Sequence, residues 1–478
     1  MNNNLVYIND KIKDALIKIN NNGIGTVFVV DDKNKLKGIL TDGDLRREII
    51  MGSKLEDSVK KIMNINVKSL NYKCSNLEIL KNIDDKIKII PLINKKGEYV
   101  DYVSKNKLKR IPIASPNLKG NELRNVVDCI ESNWISSNGK YVTEFEDVFS
   151  RYHNDMFALS VSNGTVALHL ALVSLGIGKG DEVILPNLTF SATINAVLYT
   201  GAKPVLIDID KESWNLDISL LKKNICSKTK AIIPVDLYGF PTYTDKILEL
   251  IKDYDIFLVQ DCAESLGSKY LNNPAGVLSD AATFSFFGNK TITTGEGGMV
   301  IFKNKNVYEK AKVLRDHGMS KNKRYWNDYV GYNYRFTNLQ AAVGLAQFER
   351  LDTFVKRKIS IAKRYIDFFN KYNFIQTPKI DSNVLNSYWL FTFLVLDNAP
   401  FSKVDLIDFL DKNSIDARPV FFPLGDMPPY KSYKTKSLEN STFVSERGMS
   451  LSTSPALLDK EVNYICNTLE TFFKLKIK

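Results

Sequence analysis

The chain has 478 residues, 44% hydrophobic and 25% charged, which suits a folded, water-borne protein too long for one ordinary domain. Its net charge of +11 comes from lysines spread along the whole chain, not gathered in a patch, so no nucleic-acid partner is expected. Five dispersed cysteines without CxxC spacing and only three histidines argue against a disulfide framework or a metal centre. No apolar run reaches the roughly 20 residues of a membrane helix, and the start is unlike a signal peptide, so no membrane partner and a cytoplasmic location are expected.

Residues 1–110 read as a separate α/β module. Ile12, Ala15, Leu16 and Ile19 lie at helical spacing and predict a helix over Lys11–Asn20. Strands are predicted at Thr26–Val30 and Leu36–Thr41, and a helix opens at Asp42–Arg47. The order returns more weakly, with a segment start at Ile62–Met63, a helix over Leu77–Ile83, and strands at Ile89–Ile93 and Tyr99–Val103. Two units of about 50 residues suggest an internal repeat. The run Gly38-Ile-Leu-Thr41-Asp-Gly-Asp44 resembles the strand-to-helix signature of the CBS family. That resemblance implies a CBS pair in which Thr41 and Asp44 meet the phosphate and ribose of an adenine nucleotide. Ser104 and Lys107 replace the corresponding Thr and Asp of the second unit, which limits the expectation to one such site. The other role for the pair is dimerisation or docking.

Lys105–Pro116, charged and with two prolines, reads as a linker. An amphipathic helix follows over Lys119–Glu131, then a loop at Trp134–Gly139. From Ala158 the chain alternates. Strands are predicted at Ala158–Ser162, Asp181–Pro186, Pro204–Asp208, Ala231–Val235 and Ile256–Asp261, with helices at Val166–Leu175, Ala192–Tyr199 and Thr244–Tyr254. Such alternation implies a mostly parallel, doubly wound sheet, whose ligands bind at the carboxyl ends of the strands. Gly164 and Thr165 stand at a helix N-terminus, where free amides and a hydroxyl suit a phosphate. Asp261 ends its strand, placed either to pair with a pyridinium nitrogen or to cap the Ala263–Ser268 segment.

The stretch Thr283–Met299 delivers Lys290 into a segment rich in Thr and Gly. A lysine amine at a strand end can be a nucleophile toward carbonyls, including the aldehyde of pyridoxal 5'-phosphate (PLP). Gly295, Gly297 and Gly298 are expected to allow close backbone approach and positive φ. An amphipathic helix is predicted over Asn338–Asp352. A smaller C-terminal domain then carries an aromatic strand at Tyr388–Leu396 and a helix opened by the capping box Ser402–Asp405. It closes with a helix from Asp459 that has Val462, Ile465, Leu469 and Phe472 on one face.

Five motifs, in order, resemble the DegT/DnrJ/StrS family of PLP-dependent sugar aminotransferases from about Ile111 to the C-terminus. They are Ser162–Thr165, Pro186–Phe190, Asp261–Glu264, Ser285–Lys290 and Gly331–Arg335. The resemblance implies a fold-type-I α/β aminotransferase, with a PLP-binding large domain over 111–380 and a small α/β domain over 381–478 behind the CBS pair. By the same resemblance Lys290 holds PLP and shuttles a proton, and Asp261 meets the ring nitrogen. Glu264 meets the 3-hydroxyl oxygen, Phe190 stacks on the ring, and Gly164, Thr165 and Ser285 hold the phosphate. Asn333 is expected to reach the partner subunit's phosphate, which implies a homodimer or a dimer of dimers. Trp134, Ser136 and Arg418 are expected near the substrate, and Asp236, where many members carry His, is given no role.

The implied reaction moves an amino group from L-glutamate to a nucleotide-linked 4-keto-6-deoxyhexose for surface-glycan synthesis. By the same resemblance, the runs Asn133–Ser137, Phe284–Lys290 and Arg418–Pro423 imply GDP-4-keto-6-deoxymannose as acceptor. Gly425, where members commonly carry His, departs from the pattern and leaves a UDP- or GDP-linked 4-keto-6-deoxy-N-acetylglucosamine as the alternative. Two other readings are a sugar dehydratase, in which a histidine would replace Lys290, and an inactive nucleotide-sensing regulator.

Overall fold

The structure, a computed structural model, describes residues 4–74, 78–79, 81–84, 87–104, 110–434 and 438–477. The chain forms two compact units, Met1–Arg110 and Ile111–Lys478.

In the first unit, two three-stranded sheets follow one plan. Leu5–Tyr7 runs parallel to Thr26–Val30, which pairs antiparallel with Leu36–Thr41. Leu70–Asn71 runs parallel to Ile89–Ile93, which pairs antiparallel with Tyr99–Ser104. Strand alternation divides the first sheet's side chains between two cores. Val27 and Val29 pack with Ile12, Ala15 and Ile19 of the helix Ile12–Asn22, whereas Phe28 and Val30 pack on Tyr99 of the second sheet. The helix Asp42–Ile50 begins at a capping box. Thr41 Oγ1 accepts from the Asp44 amide at 3.2 Å and donates to Asp44 Oδ2 at 2.7 Å, and Arg47 pairs with the other carboxylate oxygen. The two expected nucleotide-binding side chains are thus bonded to each other. Lys107 and part of the helix predicted over Leu77–Ile83 lie outside the described residues.

The expected linker needs correction at its second half. Ile111 is buried, its amide donates to Ser414 O at 2.8 Å, and the Asp416 amide donates to Ile111 O at 2.9 Å. Apolar Ile111 and Ile113 thus seal this segment onto the C-terminal part of the second unit; the expectation's first half, residues 105–109, lies outside the described residues.

The second unit is built on a seven-stranded sheet. Its strand order is Phe157–Val161, Gly298–Phe302, Ala281–Ser285, Phe257–Asp261, Thr229–Ile232, Glu182–Pro186, Lys203–Ile207. Gly298–Phe302 runs antiparallel to both neighbours, and the other pairings are parallel. Its two faces bury different cores. Val300 and Phe302 pack with the helices Gly164–Ser174 and Ala192–Tyr199, whereas Met299 and Ile301 pack with Lys140–Tyr152 and Asn338–Phe348. The helix Gly164–Ser174 is apolar nearly all round and buried accordingly.

The helix expected over Asn338–Asp352 breaks instead into Asn338–Phe348 and Leu351–Phe369, with Arg350 non-helical between them. The first piece is not amphipathic. Its Ala341, Ala342, Gly344 and Ala346 are buried, and these small residues admit the helices Glu122–Glu131 and Lys140–Tyr152 against it. A four-stranded antiparallel sheet near the C-terminus joins Ile375–Gln376, Phe391–Val395, Gly448–Leu451 and Arg418–Pro419. The Ser402 cap is present, and Val462, Ile465, Leu469 and Phe472 of the helix Asp459–Lys476 are all buried.

Candidate active site

Sheet register brings the sequence motifs to one edge. Asp261 pairs with Thr283, two residues before Ser285; Ser285 pairs with Gly298, and Gly298 with Val161. The segments after Val161, Pro186, Asp261 and Ser285 therefore emerge together at the carboxyl ends of parallel strands.

After Val161 the chain turns directly into a helix. Asn163 Oδ1 caps it by accepting from the Val166 amide at 3.0 Å, so the first amides of the helix, at Gly164 and Thr165, face outward. Gly164 lies against Ser285: a Cβ added there would stand 2.9 Å from Ser285 Cβ. The cradle of two amides and the Ser285 hydroxyl suits a phosphate, and any side chain at position 164 would fill it.

Beyond Ser285 a tight loop places Lys290. The Phe286 amide donates to Gly297 O at 2.8 Å, the Thr294 amide donates to Phe286 O at 3.0 Å, and Gly295 takes φ +83°. Gly298, also expected at positive φ, instead opens a strand; a Cβ there would lie 2.8 Å from the backbone of Asn163. Lys290 Nζ sits 3.4 Å from Glu264 Oε1 and 3.8 Å from the centroid of the Trp389 ring, largely shielded from water. Trp389 is held in turn by its indole N–H, which donates to Asn289 O at 2.8 Å.

The Asp261–Glu264 segment carries two carboxylates, both 5% exposed, and the Lys290 charge acts on each. Asp261 Oδ2 accepts from Thr193 Oγ1 at 2.9 Å, and Oδ1 accepts from the Ala263 amide at 3.2 Å. Ala263–Ser268 is a run of turns, so that amide bond caps no helix. Burial pushes the Asp261 carboxyl above its ordinary range, against the opposing pull of Thr193, the Ala263 amide and Lys290. Glu264 Oε2 accepts from the Tyr238 amide at 2.8 Å, and burial pushes this carboxyl up to about 7 although the Lys290 charge opposes the shift. Tyr238 stacks between Trp389 and Phe421, and Phe421 meets Phe190, whose ring is 58% exposed.

The folded value for Glu264 lies above the ordinary 4.5, so its contribution to stability is complete below about pH 4.5 and is lost as pH rises through 7. A Glu264→Gln chain carries no such proton. Between pH 5 and pH 8 the cofactor-free variant should gain roughly 2–3 kcal/mol over the parent in denaturant unfolding. Equal pH dependence in the two proteins would refute this origin of the shift.

Other expected site residues are not part of this cluster. Asn333 is exposed, and its Oδ1 accepts from Arg335 Nε at 3.1 Å. Trp134 and Ser136 expose their side chains, while their carbonyls accept from Asn338 Nδ2 and N at 2.6 and 2.9 Å. Arg418 is exposed and pairs with Asp416 at 3.2 Å. Thr41 and Asp44 belong to the first unit. Sequence reading missed Thr193, Tyr238 and Trp389. Thr193 lies one helical turn beyond Phe190, a spacing that would have drawn attention to it; nothing local marks Trp389 within its aromatic strand.

An amine, a buried carboxylate awaiting a cationic partner, and an anion cradle at one sheet edge match the aldehyde, ring nitrogen and phosphate of PLP. The residues present fit that cofactor. Among the described residues no His/Cys/Asp/Glu group could hold a metal ion, and no helix is long and apolar enough to cross a membrane.

Comparison with known proteins gives the same reading. The DegT/DnrJ/EryC1/StrS aminotransferase family matches residues 116–470, and the CBS domain family matches residues 1–51. GDP-perosamine synthase of Escherichia coli O157:H7 is 43% identical over 369 residues, covering 77% of this chain and 100% of that one. GDP-perosamine synthase of Vibrio cholerae is 40% identical over 366 residues, covering 76% and 99%. Among solved structures, Helicobacter pylori PseC, an aminotransferase involved in pseudoaminic acid biosynthesis, superposes with a TM-score of 0.72. It is 26% identical and the match covers 77% of this chain and all of PseC.

Proposed function

The chain belongs to the DegT/DnrJ/EryC1/StrS aminotransferase family and is a PLP-dependent sugar aminotransferase; from that premise we propose that it aminates GDP-4-keto-6-deoxymannose, with L-glutamate as donor. The observation that carries the reading is the contact of Lys290 Nζ with Glu264, three residues after the buried Asp261 on which the Lys290 charge acts, together with the Gly164–Ser285 cradle. Full-length similarity to two GDP-perosamine synthases supports the choice of sugar. Bound PLP supplies the electron sink that lets an α-proton leave. Lys290 would hold the cofactor through Nζ, and the free amine at that atom would move a proton. Asp261 would pair with the ring nitrogen and favour its protonated form, Glu264 would meet the 3-hydroxyl oxygen, and Phe190 would stack on the ring. Gly164, Thr165 and Ser285 bind the phosphate. Trp134, Ser136 and Arg418, all exposed, are assigned to the sugar nucleotide. The large domain is read as 111–380 and the small domain as 381–478.

Assay of purified protein with L-glutamate and each keto-sugar, linked to GDP and to UDP, tests the substrate. A preference in kcat/KM for GDP-4-keto-6-deoxymannose is expected. A preference for the UDP-linked acetamido sugar would replace the proposed acceptor.

Asn333, exposed and outside the cluster of its own chain, supports a site completed across a homodimer. Mixing Asn333→Ala and Lys290→Ala chains, each poorly active alone, should restore activity. Subunit exchange gathers both defects into one of two sites and leaves the other intact, so recovery should approach roughly a quarter of the wild-type rate per site, as random pairing predicts. An active monomer would rule sharing out.

The first-unit signature supports one adenine-nucleotide site per chain at Thr41 and Asp44. Binding requires a ligand to compete with the capping box they already form. Calorimetry on the full chain with AMP, ADP and ATP should register one site; no heat at millimolar nucleotide would favour a docking role.

A further inference from the structure

Asp236 is a fully buried carboxylate that the proposed chemistry leaves unused. Its Oδ1 accepts from the Thr242 amide, Thr242 Oγ1 and Gln260 Nε2, each at 2.9 Å. Its Oδ2 accepts from Gln260 Nε2 at 2.9 Å, Ser265 Oγ at 2.7 Å and Cys262 Sγ at 3.5 Å. All of these atoms can donate, the environment of an anion, and they oppose the burial that pushes this carboxyl above its ordinary range. Its own amide donates to Asp261 O at 3.1 Å, and the Asp261 amide donates to Pro234 O at 2.9 Å.

The arrangement along the chain is what matters. Asp236 grips Gln260, Cys262 and Ser265, and between those three stand Asp261 and Glu264, the two carboxylates on which the Lys290 charge acts. One buried anion thus fixes, from behind, the segment that presents both groups to the cofactor. We propose that Asp236 is a positioning residue for the aminotransferase reaction, holding Asp261 and Glu264 at the places from which they engage PLP. The proposal deepens the functional reading above and rests on it. Positioning of this kind matters because misplacing a reacting group by about 1 Å can cost on the order of a hundredfold in rate.

Asp236→Asn is nearly isosteric, but it keeps one acceptor oxygen and turns an NH₂ group toward donors. Folded variant protein is expected to bind PLP at least about tenfold more weakly and to lose at least about tenfold in kcat, with KM for the keto-sugar within about twofold of the parent. PLP affinity of the folded, cofactor-free chain, measured by equilibrium dialysis, is a readout that a purely structural role would leave alone. Ser265→Ala removes one grip and keeps the charge, and should weaken PLP binding by a smaller factor of about two to five. Both variants binding PLP and turning over within about twofold of the parent would overturn the proposal. If Asp236→Asn does not fold, unchanged affinity in Ser265→Ala overturns it alone. Failure of the parent protein to bind PLP would instead sink the functional reading, so the two failures are distinguishable.

Discussion

Lys290→Ala is expected to lose turnover by roughly 10³-fold or more while the fold persists, because it removes both the covalent anchor and the proton carrier. Lys290 lies in a loop held by backbone bonds from Phe286 to Gly297 and from Thr294 to Phe286, none of which involves its side chain. The variant should therefore unfold cooperatively like the parent. Borohydride should fix PLP to the parent chain and leave the variant chain unlabelled. Lys290→Arg should be nearly as inactive, since a guanidinium fills the space beside Trp389 and Glu264 but is no nucleophile. Near-parental activity in Lys290→Ala would remove the lysine from the reaction altogether.

Asp261→Asn is expected to lower kcat by roughly 10²–10³-fold, the scale of removing one preorganised electrostatic partner from a buried site. The amide oxygen can still accept from Thr193, so geometry is largely kept while the charge is lost. Burial already works against the ionised Asp261, so the neutral variant should be at least as stable as the parent without cofactor. Borohydride should still fix PLP to Lys290 in this variant. Loss of rate with retained anchoring and retained stability is the pattern that separates an electrostatic role from a structural one. An unchanged kcat would show that the ring nitrogen has no need of this carboxylate.

Much of the site was legible because its parts are local. The Ser402 box closes between residues three apart, so residue identity and spacing alone announce it. Alternating apolar runs likewise specify strands, and a strand that ends in Asp261 or Ser285 is placed at the binding edge by the rule that governs parallel sheets. The helix break at Arg350 was not legible. An apolar stretch declares that it will be buried without saying against what, and the small side chains of Asn338–Phe348 acquire meaning only between two other helices.

The same limit separates the two halves of the site. Residue type and spacing alone single out Lys290, Asp261, Glu264 and Ser285, to which the proposed chemistry is assigned, since each sits in a short motif. What surrounds them is set by tertiary packing. Trp389 reaches Lys290, Tyr238 reaches Glu264, Thr193 reaches Asp261 and Asp236 reaches Ser265 across different elements. Those contacts depend on how strands register and layers pack, and no local spacing encodes them, because burial is non-directional and a hydrogen bond between distant segments forms only once the core has placed both ends.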